Sequence, residues 1–137
     1  MPEQDNVEIV RQAFEAVERE GWQSLFPLID PEFELTTPPE LAMEPDTYRG
    51  HAGVRRYFES FEDAMDDIRI VPDGEFLAAG DKVFFPFRLS ARGKETRIEA
   101  EQRAFQVWTL RDGKGLRAEV FATREAALEA AGLPLDG

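Results

Sequence analysis

Apolar residues near the start of the chain recur at spacings of three and four. Val7, Val10, Phe14 and Val17 form one stripe, with Glu8, Arg11, Glu15 and Glu18 opposite. That period predicts an amphipathic helix from about Asp5 to Glu20, stopped at Gly21. Trp22 to Ile29 reads as a second, shorter helix, which Pro27 must kink or stop because proline lacks the N–H that an interior turn needs. Asp30-Pro31 is a break, and Glu32 to Thr36 alternates as a short strand. Thr37 to Gly50 contains Pro38, Pro39 and Pro45 and shows no period, so a long loop is expected there. Gly50 opens the clearest helix, about fifteen residues long, with Val54, Tyr57, Phe58, Phe61, Met65 and Ile68 on one face.

From Ile68 the period falls to two. Strands are predicted over Ile68–Ala78 (made irregular by Pro72 and Gly74), Lys82–Ala91, Thr96–Leu110 and Leu116–Phe121. A helix from Arg124 to Ala131 follows, with Thr123 as its N-cap and Gly132 and Pro134 marking its end. Helices gathered first and strands last predict an α+β fold, with the helices on one face of a curved antiparallel sheet.

The 137 residues are expected to form one domain, 1–137, with an ordered core over about 5–133. A 42% hydrophobic content argues for a packed core despite a formal net charge of −12. The acidic balance argues against sequence-independent binding to nucleic acid or anionic membranes. Cysteine is absent, which excludes disulfides, a thiol nucleophile and thiolate metal ligation. With one histidine, a metal centre would need carboxylates. Asp63 and Asp67, one helical turn apart on a polar face, read as solvated, so neither metal nor cofactor is expected. No leader is apparent and no apolar run approaches the roughly 18 residues that cross a bilayer, so a soluble cytoplasmic protein is expected.

With this order of elements, two segments carry a family likeness: Tyr48-Arg49-Gly50-His51-Ala52-Gly53-Val54-Arg55-Arg56-Tyr57-Phe58, and Val107-Trp108-Thr109-Leu110-Arg111-Asp112-Gly113-Lys114. The chain resembles the SnoaL-like branch of the nuclear transport factor 2-like superfamily over nearly its whole length. The resemblance implies a cystatin-like cone. In it a strongly curved, mixed, mainly antiparallel sheet wraps around three N-terminal helices, a short helix ends the chain, and a deep apolar pocket lies inside. It also implies frequent dimerisation through the sheet. Members include polyketide cyclases, ketosteroid isomerases, limonene epoxide hydrolases and non-catalytic binding proteins, so the fold alone names no reaction.

Ketosteroid isomerases use an aspartate base, with a tyrosine and a protonated aspartate as an oxyanion hole. The matching positions here are Leu35 for the base, Phe14 for the tyrosine and Gln106 for the acid. Leucine cannot abstract a proton. Cyclase-like sequences often carry an aspartate after the last strand and a histidine at the Gln106 position; here Val120-Phe121-Ala122-Thr123 replaces the former. Glu101, Arg103 and Glu119 supply the residue types an epoxide hydrolase needs, without a motif joining them.

Gln106 is the foremost candidate, because Ala104, Trp108 and Leu110 on its strand face are apolar. A buried amide left unbonded costs about 1–3 kcal/mol, so a ligand or an internal partner such as a backbone carbonyl or Tyr57 must answer it. His51, the single histidine, is a candidate base, although the surrounding Arg-Gly-His-x-Gly also reads as helix-start geometry. Trp22, Tyr57, Phe14, Leu35, Trp108 and Phe121 complete the expected pocket lining. Glu99, Glu101 and Arg103 fall on the opposite, outer face. Apolar residues on both faces of Phe84–Phe87 and Phe105–Trp108 predict a sheet covered on both sides, the outer one by a second copy of the chain. The expected function is binding of a small, largely apolar metabolite. The alternatives are a cyclase, isomerase or epoxide-hydrolase-type enzyme using Glu119 or His51 as base, and an accessory domain whose pocket its own aromatics fill.

Overall fold

The first apolar stripe becomes α1 (Glu3–Glu20), which buries Val10, Ala13, Phe14 and Val17. Gly21 ends it at φ 96°, its N–H donating to the Val17 carbonyl at 2.8 Å. Trp22–Leu28 then forms a 3-10 helix, a short tight coil that tolerates Pro27. β1 (Ile29–Thr36) starts earlier than its alternation indicated. Asp30-Pro31 is therefore inside a strand, where the register with the last strand shifts between Ile29 and Glu34 and a missing N–H does least harm. The computed structural model describes residues 3–38 and 47–134, so most of the expected loop over 37–50 lies outside the described residues. The end of that segment is β2 (Thr47–Arg49), antiparallel to β1 and too short to show a period in sequence. In α2 (Gly50–Ala64), Gly53 permits close approach to β2: a Cβ there would sit 2.9 Å from the Tyr48 carbonyl carbon.

α2 stops at Ala64, and Met65 and Ile68 belong to β3 (Met65–Pro72). Asp63 and Asp67 consequently share no helix. Asp67, at φ 54°, occupies a bulge where β3 slips against its neighbour between Asp66 and Arg69. The strand expected over Ile68–Ala78 is two, because the chain leaves the ladder after Pro72 and rejoins it as β4 (Leu77–Ala79). β5 (Lys82–Gly93), β6 (Glu99–Arg111) and β7 (Lys114–Phe121) follow as hairpins. Asp112 and Gly113, at φ 52° and 77°, form the tight turn that both positive angles demand.

The described strands run in the order β2-β1-β7-β6-β5-β3, with β4 also on β5. Only β1 and β7 run parallel among these pairs. α1, the 3-10 helix and α2 pack on the concave face. α3 (Arg124–Ala131) packs on the other. Its start is capped by the Thr123 hydroxyl, which accepts the Ala126 N–H at 3.3 Å, and Gly132 closes its end at φ 76°.

α3 lays Ala127, Leu128 and Ala131 over Phe84, Phe105 and Val107. The apolar half of the outer face is therefore covered by the chain's own last helix, where the sequence reading placed a second copy. The other half is charged: Arg88 and Arg103 both meet Asp73, at 3.1 and 3.5 Å, and Arg88 meets Glu101 at 3.6 Å. No helix of the described residues is long and apolar enough to cross a membrane. Leu128, 1% exposed, anchors α3. Leu128→Ala should lower unfolding free energy by about 2–5 kcal/mol, measured by urea denaturation.

Candidate functional site

Side chains alternate across a strand, so the concave face receives every second residue. On β6 these are Gln102, Ala104, Gln106 and Trp108, and on β7 Ala118 and Val120. Phe33, Leu35 and Thr37 continue the set along and just past β1. Phe14 from α1 and Tyr57, Phe58 and Phe61 from α2 close the opposite wall. The enclosed space open to a water-sized sphere is about 50 Å³. That holds a few waters and falls below the roughly 300–1,000 Å³ usual for ligand pockets.

Of the residues expected to line a pocket, Phe14, Leu35, Tyr57, Gln106 and Trp108 do so. The three positions matched to the isomerase site, Phe14, Leu35 and Gln106, meet in this one cavity. Trp22 does not join them. The 3-10 helix stacks its ring on Phe58 (centroids 5.1 Å apart, planes at 9°), and its Nε1 donates to Glu62 at 3.3 Å, in a separate surface groove. Phe121 also lies elsewhere: β7 turns Ala118 and Val120 inward, so Glu119 and Phe121 point out, and Phe121 packs with the α3 cluster.

The same alternation removes Glu119 as a base for the cavity and keeps Glu101 and Arg103 outside it. His51 sits beside the 3-10 helix, its Nε2 3.3 Å from the Ile29 carbonyl oxygen and its ring 5.3 Å from that of Phe26. It ties the start of α2 to β1 and contributes nothing to the lining. Among the described residues, none that lines the cavity carries a carboxylate, imidazole, amine or guanidinium. General-base chemistry through Glu119 or His51 has no support in this geometry.

What the cavity does carry is hydrogen-bond donors. Trp108 Nε1 donates to Gln106 Oε1 at 2.7 Å, both residues buried. Indole nitrogen can only donate, so the amide oxygen must face it and the amide nitrogen turns away. That nitrogen donates to no group among the described residues. The internal partner of Gln106 is thus Trp108, not Tyr57 or a backbone carbonyl. Burial, reinforced by nearby Tyr48, pushes the Tyr57 hydroxyl well above its ordinary value, so it stays protonated and acts as a donor. The Thr37 hydroxyl is buried without a partner among the described residues, its residue 6% exposed. Thr37 and the more exposed Gln102 escaped the sequence reading, although the period of two that placed Leu35 and Gln106 reaches both. Trp108 itself is held edge-on to Phe14 at 5.6 Å, against Phe33 at 5.4 Å, and flat over Gly115, where a Cβ would come 2.8 Å from ring atom Cε3.

The profile of the SnoaL-like domain family matches residues 10–118. No curated protein matches the sequence. Among solved structures, a nuclear transport factor 2-like protein from Burkholderia thailandensis E264 is 25% identical with a TM-score of 0.77, over 94% of this chain and 98% of that one. TerC, crystallised with polyporic acid, is 20% identical with a TM-score of 0.75, over 97% and 99% of the two chains. A protein of unknown function with a cystatin-like fold from Xanthomonas campestris is 18% identical with a TM-score of 0.74, over 94% and 98%.

Two outcomes follow from the site's packing and ionisation. Gly115→Ala should displace the Trp108 ring and destabilise the protein by about 1–3 kcal/mol, read from its unfolding midpoint. Tyr57 is an acid whose folded ionisation lies above its unfolded one, so its contribution to stability is complete below about pH 10 and is lost as pH rises beyond it. Calorimetry above pH 10 should therefore show the midpoint falling less steeply in Tyr57→Phe than in the parent.

Proposed function

We propose that this chain, which belongs to the SnoaL-like domain family, binds a small, largely apolar metabolite in the cavity beneath its sheet. The observation that carries this reading is the Thr37 hydroxyl, buried in the cavity wall with no partner among the described residues. Such a group costs about 1–3 kcal/mol when left unanswered. Tyr57 and the Gln106 amide nitrogen line the same space, so an acceptor on a ligand would answer donors that the protein itself leaves open. TerC, which shares the fold, was crystallised with a small molecule, in keeping with this use of the architecture. A cytoplasmic location and self-association through the sheet belong to the same reading. With α3 over Phe84 and Phe105, the surface left for a second copy is the charged half around Arg88 and Arg103.

A second reading, an accessory domain with a filled interior, is favoured by the cavity's small free space of about 50 Å³. Thermal unfolding against aromatic polyketides, steroids, terpenoid epoxides and fatty acids separates the two. A ligand at a hundred times its dissociation constant adds about 2.7 kcal/mol, a rise of several degrees. Thr37→Val should raise the midpoint of the free protein and shrink the ligand-induced rise. Gln106→Leu should shrink that rise too, while lowering the midpoint of the free protein by orphaning Trp108 Nε1. A panel without any rise favours the filled interior.

A further inference from the structure

Next to the cavity runs an open groove of about 410 Å³, bounded by the end of α1, the 3-10 helix, the end of α2 and β3. The two spaces have Phe58, Ile68 and Ile70 in common. Those side chains are the partition between them. On one side the free space is below the usual volume of a ligand pocket; on the other it reaches it.

The partition stands on the part of the sheet least able to hold it rigid. β3 is an edge strand, and Ile68 follows Asp67 directly in its bulge, where the ladder with β5 is interrupted. Ile68 and Ile70 are only half-buried. Segments with interrupted hydrogen bonding and partial burial open at low free energy. Phe58 stacks on Trp22, which lines the groove, and meets Tyr57, which lines the cavity, edge-on at 5.1 Å. The carboxylates at the groove rim are already engaged: Glu18 with Arg69 at 3.0 Å, Glu62 with Trp22 at 3.3 Å, and Asp67 with Arg92. What the groove offers is therefore its apolar floor, the Trp22 ring and Lys94.

We infer that the cavity and the groove are two chambers of one binding site, filled together by an elongated, largely apolar molecule when Phe58, Ile68 and Ile70 move aside. This rests on the ligand-binding reading and adds the shape of the ligand to it. The inner end carries a hydrogen-bond acceptor for Gln106, Tyr57 and Thr37. The outer end lies beside Trp22 and Lys94.

The chain's two tryptophans stand one in each chamber, Trp108 in the cavity and Trp22 in the groove. Bromine quenches indole fluorescence only near contact, so 4,4′-dibromobiphenyl is the probe and unbrominated biphenyl the control. Trp22→Phe and Trp108→Phe isolate each emitter. The unsubstituted protein, whose buried and half-exposed tryptophans emit at different wavelengths, guards against a folding defect in either variant. Quenching of both tryptophans is the expected result. In stopped flow, Ile68→Ala should speed the Trp108 signal several-fold and Ile68→Phe should slow it. Quenching of Trp108 alone overturns the two-chamber site and leaves the cavity as the binding site. Quenching of Trp22 alone overturns both. Neither quenching nor a shift in midpoint removes the ligand-binding reading, and this inference with it.

Discussion

The hydrogen bond from Trp108 to Gln106 decides what the interior of this protein can do. The two residues are separated by one position on β6, so strand geometry alone puts them on the same face. Phe14, Phe33 and Gly115 leave the indole no second position, and the indole leaves the amide no second orientation. The amide oxygen is consumed inside the protein, and the amide nitrogen of this cavity-lining residue is left as a donor turned away from the indole. A polar residue is thereby kept in an apolar interior without waiting for a ligand, and only half of its hydrogen-bonding capacity stays open.

The charge distribution agrees with that division. A chain with a formal net charge of −12 keeps its ionised groups off the cavity wall among the described residues and ties many of them to one another on the outside. Asp30 shows how. The Glu32 backbone N–H, with Arg111 beside it, holds its carboxyl below the ordinary carboxylate range, and the same Arg111 reaches Glu32, joining the start of β1 to the end of β6. The cavity is left with packing and hydrogen-bond donation as its chemistry.

Legibility in the sequence followed the range of the interactions involved. The bounds of α3 could be read because caps are local chemistry, one hydroxyl at Thr123 and one left-handed glycine at Gly132. The inward set Gln102, Ala104, Gln106 and Trp108, with Glu101 and Arg103 outward, follows from a period of two along a regular strand. Where a bulge interrupts the count, the count fails. A register shift between Thr109 and Leu110, opposite the first half of β7, hides from the sequence which face Glu119 and Phe121 take. Met65 and Ile68 fit the helical stripe of α2 as well as they fit β3, so the change of element was invisible until the tertiary contacts chose. Trp22 was lost because a 3-10 helix rotates its side chains differently from an α-helix. The covering of Phe84 and Phe105 by α3 is a long-range contact that no local pattern encodes.

The open donors also bear on why the interior has the composition it has. Valine at position 37, phenylalanine at 57 or an apolar pair at 106 and 108 would occupy nearly the same volume and leave no polar group unanswered. A core arranged for stability alone favours such choices, since each buried, unpaired donor weakens the folded state. Among the described residues the Thr37 hydroxyl is one such departure and it lies on the cavity, the other being Arg92 Nε elsewhere, while the apolar cluster under α3 contains none. Local conflicts with the packing rules tend to fall at sites that do something other than hold the fold together. The side of the sheet that holds Thr37 also carries the partition of Phe58, Ile68 and Ile70 and the bulged edge strand behind it. The proposed ligand site draws on both the open Thr37 hydroxyl and the interrupted edge strand, and a filled core needs neither.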